Sequence, residues 1–573
     1  MSDLGAMILK ALLSNGYFPK ELPPVFTTVD FGKHSDAILT DWQQGNVFGI
    51  KQAKEFQKIG GKRFRSRFSY KNVPFTDPEV ISKPKRLYER RNIHVTHPIP
   101  QALLSKELAD HWPKVQKWLS RLKYSEDEIT VSSQFERAIK GINFPIHRAK
   151  KRYLEATSDW LIKTDISRFY PTIYAHSIVW AAYGKEKVKN SLKTYEETFA
   201  DRLDMLVRSC NRNQTIGIPI GPETSRIIAE IVSSRIDLNF SDQLGSLPGE
   251  VVDRLQDDWT VGATSLEHAE KILSVISSCY REYGLEINGS KTSISHILAS
   301  SKEIWKSEIS AFLSHRRGSL YGGRLAEFLA LCLRLQLEYP SAPVLNYALS
   351  IIEGQKFSAI DTEVLESFLL KAAVTAPISM DRICRIILNV DHTSGGLSKE
   401  RLARRFTSLA ERHFENGALF EVIWLLYTLR GLNKPIKSSK LMKYAENVQS
   451  SAIRLLLLDM TSKGLCITPA PAKKWEAEIS EDRVLSDWSW LMAYEGIRNG
   501  WRKDTKGVMA KSFFKAMADK NVVFYDPSKN VRKSASVKRD RYRERREQNQ
   551  EVVRFLESLR GVEFQIDTGL SDY

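Results

Sequence analysis

Cysteine is scarce and scattered. The 573 residues contain five, Cys210, Cys279, Cys332, Cys384 and Cys466. No two form a CxxC pair and the count is odd, so neither a disulfide framework nor a cysteine zinc site is expected. The pattern fits a reducing compartment. Histidines are dispersed as well. His94 and His97 are close in sequence but lack a third ligand nearby, which argues against zinc. No GxxxxGK[ST] loop is present, which excludes a P-loop nucleotidase. Long apolar runs are missing. The most apolar stretch, Ala418–Leu429, is too short to span a bilayer and carries Glu421, so it reads as a core helix. The N-terminus has Asp3 and no basic n-region, so no secretory leader is expected. These absences predict a cytoplasmic protein without membrane partners.

What is present points to a polyanion. Lys and Arg number 85 against 68 Asp and Glu, for a net charge of +17. Such a balance favours nucleic acid or an anionic surface as partner. The 42% hydrophobic content supplies a large core, and the length suggests roughly three or four domains.

The texture changes along the chain. The first section is basic and irregular. Lys51, Lys54, Lys58, Lys62, Arg63, Arg65 and Arg67 form one cationic block, and Lys83, Lys85, Arg86, Arg90 and Arg91 another. Phe56, Phe64, Phe68, Tyr70 and Tyr88 lie among them. Such interleaving suits a surface that tracks phosphates and stacks bases, or a solvated charged face with ordinary core aromatics. Trp160–Ile166 alternates like a strand. Helical stretches follow Pro171 and run from Pro222 to Asp237. Val251–Gly262 reads as a β-hairpin with Asp257 and Asp258 at its turn. An amphipathic helix over Leu266–Tyr283 and a short strand over Leu285–Asn288 complete an α+β layer. Beyond about residue 320 the pattern is helical: Leu325–Tyr339, Thr362–Ala373, Leu397–Glu415, Leu419–Leu429 and Ser486–Arg498. Lys529–Arg546 is strongly basic, an arm for nucleic acid or a solvated helix.

Asp165 closes the first strand, and Asp257 and Asp258 sit at the hairpin turn. Neighbouring strands would gather the three carboxylates. Gathered carboxylates repel one another and call for hard cations, of which Mg²⁺ is the natural choice. Two such ions about 4 Å apart activate a 3′-hydroxyl and stabilise leaving pyrophosphate. Around these acids lie Asp165-Ile-Ser-Arg-Phe-Tyr170, Gly217-Ile-Pro-Ile-Gly221-Pro222, Arg254-Leu-Gln-Asp257-Asp258, and Gly284-Leu-Glu-Ile-Asn288-Gly-Ser-Lys291.

In this order the four segments resemble motifs A to D of the reverse transcriptase palm. DISRFYPTIYAHSI, GIPIGPETSRIIAEI and SKPKRLYERRNIHVTHPIPQ resemble the bacterial defence-associated, or abortive-infection, reverse transcriptases. The motif likeness covers about residues 80–295, and Trp490–Asp526 is similar to tails in that group. The resemblance implies a right-hand polymerase of α+β class. Residues 1–155 would form the N-terminal and fingers region, 156–296 the palm, and 297–573 a helical thumb-like domain with a basic tail at 529–546. It implies two Mg²⁺ ions held by Asp165, Asp257 and Asp258, with Ile166 among the metal-binding positions. Lys291 would act at the triphosphate as counter-charge or general acid. Tyr170, with Phe169 beside it, would exclude a ribose 2′-hydroxyl, so the monomers would be dNTPs. Gly217, Pro219, Ile220 and Gly221 would form the motif B turn, and Lys83, Lys85, Arg86 and Arg90 would hold phosphates.

Two residues depart from templated enzymes. Leu255 stands where an aromatic is usual, and Ile220 replaces a glutamine near the templating pair. Some members of the resembled group extend DNA without a conventional template or prime on a protein hydroxyl. Three functions therefore stand. The first is an antiphage DNA polymerase free of template and primed by protein, with Tyr542 and Tyr573 among the candidate hydroxyls. The second is an RNA-templated reverse transcriptase using a partner non-coding RNA. The third is a silent palm serving as a nucleic-acid-binding or homo-oligomeric scaffold, against which the intact acids argue.

Overall fold

The computed structural model describes residues 3–45, 56–59, 62–65, 73–86, 89–121, 124–125, 128–245, 252–299, 304–314, 320–358, 360–505, 507–532 and 534–560. Lys51, Lys54, Arg67, Phe68, Tyr70, Tyr88 and Tyr573 lie outside the described residues.

The N-terminal section, irregular in pattern, contains helices. α1 (Asp3–Ser14) buries Ile8, Leu9, Leu12 and Leu13. α2 (Pro98–Asp110) packs against it. Between them lie two antiparallel hairpins, β1 (Phe56–Ile59) with β2 (Lys62–Arg65), and β3 (Glu79–Arg86) with β4 (Glu89–Val95).

The α+β layer follows. α3 (Phe144–Thr157) precedes β5 (Trp160–Thr164), and the short α4 (Phe169–Thr172) follows it. α5 (Glu223–Leu244) is longer than its sequence pattern and buried nearly all round, as befits a helix enclosed on every side. β6 (Val252–Leu255) and β7 (Asp258–Ala263) form the expected hairpin. α6 (Leu266–Glu282) opens on Ser265, whose hydroxyl accepts from the His268 N–H at 3.1 Å. It turns Ala269, Ile272, Ile276, Cys279 and Tyr280 inward. Burying each large apolar side chain contributes about 1.5–3 kcal/mol.

The sheet order is β6-β7-β5-β8, all antiparallel, with β8 at Ser293–His296. The strand expected at Leu285–Asn288 is instead a single bridge, Ile166 to Ile287. The true edge strand is short and polar, so alternation gave no sign of it.

Among the described residues beyond 320, every regular element is helical. Successive helices pack on neighbours one and two places along. The stretch read as one helix over Ser486–Arg498 is two, Glu481–Ser486 and Trp490–Arg498, broken at Asp487. α7 (Leu419–Gly431) and α8 (Ser451–Ser462) carry the hairpin contacts. β3 lies on α7, and its buried Glu79 caps α8, accepting from Ser451 N–H (3.1 Å) and Ala452 N–H (3.3 Å). The terminal α9 (Ser534–Arg560) packs on α3, where Lys140 and Asn143 donate to Glu551.

Residues 25–42 meet residues 513–526. Thr27 N–H donates to Phe524 C=O (2.9 Å) and Asp526 N–H to Val25 C=O (2.7 Å). Trp42 donates its indole N–H to Phe513 C=O (3.2 Å), and the Phe31 and Phe524 rings lie 5.4 Å apart. The aromatic-rich stretch Trp490–Asp526 thus closes over the N-terminal helices. Each of the five cysteines is a buried thiol. Among the described residues, no helix is long and apolar enough to cross a membrane.

Candidate active site

The hairpin and β5 bring the three acids to one end of the sheet. β5 pairs with β7 so that Thr164 faces Trp259, and β6 pairs with β7 so that Leu255 faces Asp258. Asp165 therefore emerges from β5 alongside the turn that carries Asp257 and Asp258. Asp165 C=O accepts from Asn288 N–H (2.7 Å), and Ser167 N–H donates to Glu286 C=O (2.8 Å). In an antiparallel pair bonded through its flanking residues, the central residue turns its own peptide groups the other way. The Ile166 carbonyl accordingly faces away from Ile287, to the side of the sheet where β7 lies.

Asp165 is buried and ion-paired with Lys291. The expected triphosphate lysine is thus the direct counter-charge of the motif A acid. Asp257 is half-buried and Asp258 exposed. Burial, and next the like charge of Asp258, push the Asp257 carboxyl up to about 6, while Lys85 pulls the other way. Crowded negative charge offset by lysines is the electrostatics of a cation site, and the donors at this strand end are hard oxygens throughout. Among the described residues, no three His, Cys, Asp or Glu side chains close into a ligand shell. The acids are gathered in sequence register, with Asp165 engaged by Lys291.

Tyr170 lies on α4, its side chain partly buried against the core, its hydroxyl pKa raised by burial and then by Glu230. Phe169 is buried beneath it, with ring centroids 5.5 Å apart. α4 is fastened to the GIPIG turn. Ile218 N–H donates to Tyr170 C=O (3.0 Å) and Gly217 N–H to Ile173 C=O (2.8 Å). The turn is in turn clamped to β4, where His94 N–H donates to Ile220 C=O (2.7 Å) and His94 Nδ1 accepts from Ile220 N–H (3.0 Å). Burial lowers the pKa of His94 to about 4, so its ring is neutral near pH 7, as an acceptor Nδ1 requires. His97 is buried too and bonds Val484 C=O at 2.9 Å. Both histidine rings are thus engaged by backbone groups of distant segments.

The turn needs its glycines. Gly217 has φ 90°, and a Cβ there would stand 3.0 Å from Pro171 O. Gly221 has φ 142°, and a Cβ would meet Pro19 Cγ at 2.7 Å and His94 O at 2.8 Å. Gly221→Ala should therefore destabilise the protein by about 1–3 kcal/mol, read as a lower Tm. Gly289→Ala, with nothing within 4 Å of the new methyl, should leave Tm unchanged. Equal Tm for the two variants would contradict the clash.

The four basic residues expected at phosphates divide. Lys85 is felt at Asp257. Lys83 bonds Glu21 at 3.4 Å and sits over the Phe420 ring. Arg90 holds the buried Glu421 through two bonds of 2.8 and 2.7 Å, because a buried carboxylate requires a partner. The Arg86 side chain lies outside the described residues.

Three site residues escaped sequence reading. Arg254, Glu230 and Asp237 form a buried ion cluster behind the hairpin. Their signal was present: Glu230 and Asp237 are seven apart on one face of a helix otherwise lined with isoleucine.

Residues 101–317 match the family model of reverse transcriptases (RNA-dependent DNA polymerases). The chain carries a reverse transcriptase domain, a polymerase-type nucleotidyltransferase fold with a large helical region after it. Solved structures similar to the chain include apo telomerase from Candida tropicalis, at 12% identity and TM-score 0.28 over 74% of this chain and 73% of that one. A form of that telomerase truncated from its C-terminal domain matches at 15% identity and TM-score 0.25, over 40% of this chain. The chain spans about half of its length, 52%. The RNA-dependent RNA polymerase of a human picobirnavirus, an insertion-loop deletion mutant, matches at 13% identity and TM-score 0.27, over 68% of this chain and 82% of that one. No curated protein matches significantly. The reverse transcriptase domain encloses Asp165, Tyr170, the GIPIG turn, the Asp257–Asp258 hairpin and Lys291.

Proposed function

We propose that the chain is a Mg²⁺-dependent DNA polymerase of the reverse transcriptase type, acting in bacterial antiphage defence. The observation that carries the reading is the convergence of Asp165 with the Asp257–Asp258 turn at one end of the β6-β7-β5-β8 sheet, inside the reverse transcriptase domain. The defence role is supported by the motif resemblance over residues 80–295 and the Trp490–Asp526 stretch.

Asp165, Asp257 and Asp258, with the Ile166 carbonyl, would hold two Mg²⁺ ions. When bound, the ions supply Lewis acidity to the attacking hydroxyl and charge neutralisation to the leaving pyrophosphate. The chain's own groups do the rest. Lys291, paired with Asp165, is placed to exchange that partner for a phosphate oxygen and to donate a proton towards the leaving group. Lys85 adds positive potential at the turn. Tyr170, pinned through its carbonyl to the GIPIG turn, blocks the space of a 2′-hydroxyl and selects dNTPs, and Phe169 supports its ring.

Ile220 bears on template use. Its backbone is occupied by His94 and its side chain packs partly on the core, so it offers no polar group to a templating base. This supports synthesis governed by pocket shape, on a protein hydroxyl primer. Tyr542, 72% exposed on α9, is one such hydroxyl. The expected result is DNA that stays with the protein through a denaturing gel, is released by protease, and is still made after RNase treatment. Loss of synthesis with RNase, and a product complementary to a copurifying RNA, would replace this reading with the RNA-templated one.

A further inference from the structure

We propose that Arg254 is the positioning residue of the acid-bearing turn, setting the direction of the Asp257 carboxylate through the peptide between Gln256 and Asp257. The inference rests on the metal-dependent reading of Asp257 and adds a residue to which the motif resemblance gives no role.

Arg254 lies on β6 with its side chain fully buried. A guanidinium has five N–H donors in a rigid plane, and the structure accounts for every one. Nε and Nη2 grip the Asp237 carboxylate at 2.9 and 3.1 Å. Nη1 and Nη2 each reach Glu230 Oε2 at 3.3 Å. The remaining Nη1 hydrogen goes to Gln256 C=O at 2.7 Å, the shortest of the set. Two carboxylates on α5 thus aim the guanidinium, and the guanidinium aims one carbonyl of the turn.

That carbonyl is decisive because of where it stands. Gln256 is the first of two residues joining β6 to β7 and has φ 57°. A side-chain-bearing residue in this left-handed region carries a cost of about 1–2 kcal/mol, so something must hold it there. The carbonyl and the Asp257 N–H belong to one planar unit. Arg254 takes the carbonyl end of that plane at 2.7 Å, and the other end leads straight into Asp257 Cα. Fixing the plane therefore fixes where Asp257 Cα stands and the direction from which its carboxylate sets out. A lysine could not replace this: its ammonium has three donors and no plane. The arrangement also joins motif B to motif C, since α5 grows directly out of the GIPIG turn.

A purely stabilising buried ion cluster would look similar, so the test pairs Arg254→Lys with Arg430→Lys. Arg430 is also buried, paired with Asp459 among the C-terminal helices. Mn²⁺ binding to the nucleotide-free full-length protein is measured by loss of the free-ion EPR signal, alongside Tm and the Mg²⁺ dependence of dNTP incorporation. Both variants should lower Tm. Only Arg254→Lys should weaken Mn²⁺ binding and raise the Mg²⁺ half-saturation, by roughly 10–100-fold, with KM for dNTP near the parental value. Parental Mn²⁺ binding by Arg254→Lys overturns the proposal. Should that variant not fold, Arg254→Met with Glu230→Gln and Asp237→Asn removes the cluster's charges together and must show the same loss of Mn²⁺ binding. Undiminished binding by Asp257→Ala overturns the metal assignment itself, a failure separable from that of Arg254.

Discussion

Asp257→Ala is expected to abolish nucleotide incorporation while the protein stays folded. Asp257 sits half-buried at the hairpin turn beside Asp258, and burial with that neighbour's charge already pushes its carboxyl up to about 6. Removing it relieves repulsion and leaves the Arg254 bond to the Gln256 carbonyl in place. Tm should therefore be unchanged or slightly higher. Activity should fall by at least 10²–10³-fold, roughly the loss on deleting one preorganised electrostatic group. The check is labelled dNTP incorporation beside a thermal scan. A folded variant with parental incorporation would remove Asp257, and with it the strand-end acid cluster, from the mechanism.

Tyr170→Ala should admit ribonucleotides. The α4 backbone is held by Ile218 N–H on the Tyr170 carbonyl and Gly217 N–H on the Ile173 carbonyl. Truncating the ring therefore opens space without moving the segment. Ring atoms pressed against C2′ discriminate by sterics, and loss of such a contact changes selectivity on the order of 10–100-fold. The measured quantity is the ratio of kcat/KM for dNTP to that for rNTP, parent against variant. An unchanged ratio would leave Tyr170 as a core tyrosine that packs on Phe169.

The hairpin that carries Asp257 and Asp258 could be read from sequence because a two-residue turn between alternating runs fixes register, and register fixes which residues lie side by side. Asp165 came from a second strand pattern, Trp160–Ile166, and from the motif resemblance, and its place beside the hairpin is set by the β5–β7 pairing. The GIPIG turn was legible for a similar reason, since positive φ at Gly217 and Gly221 shows in the residue type. Ser293–His296 was not legible: a four-residue polar edge strand has no period to detect. Nor was Arg254. A charged residue on a strand reads as solvated, and the acids that bury it lie on a different element. The partner of Arg90 was not legible either. Its place in a cationic block suggested phosphate, but Glu421, distant in sequence, takes it.

The meeting of residues 25–42 with residues 513–526 sets a clock on biogenesis. Phe31 and Trp42 leave the ribosome 493 and 471 residues ahead of their ring partners Phe524 and Phe513. At about 5–20 residues per second the N-terminal helices wait on the order of 25–100 s before they can close. Until then Phe31 and Trp42 lack these rings, and their shelter comes from earlier-made neighbours such as α1. A premature stop anywhere between Trp42 and Phe513 therefore strips Phe31 and Trp42 of these ring partners, however far from them the break lies.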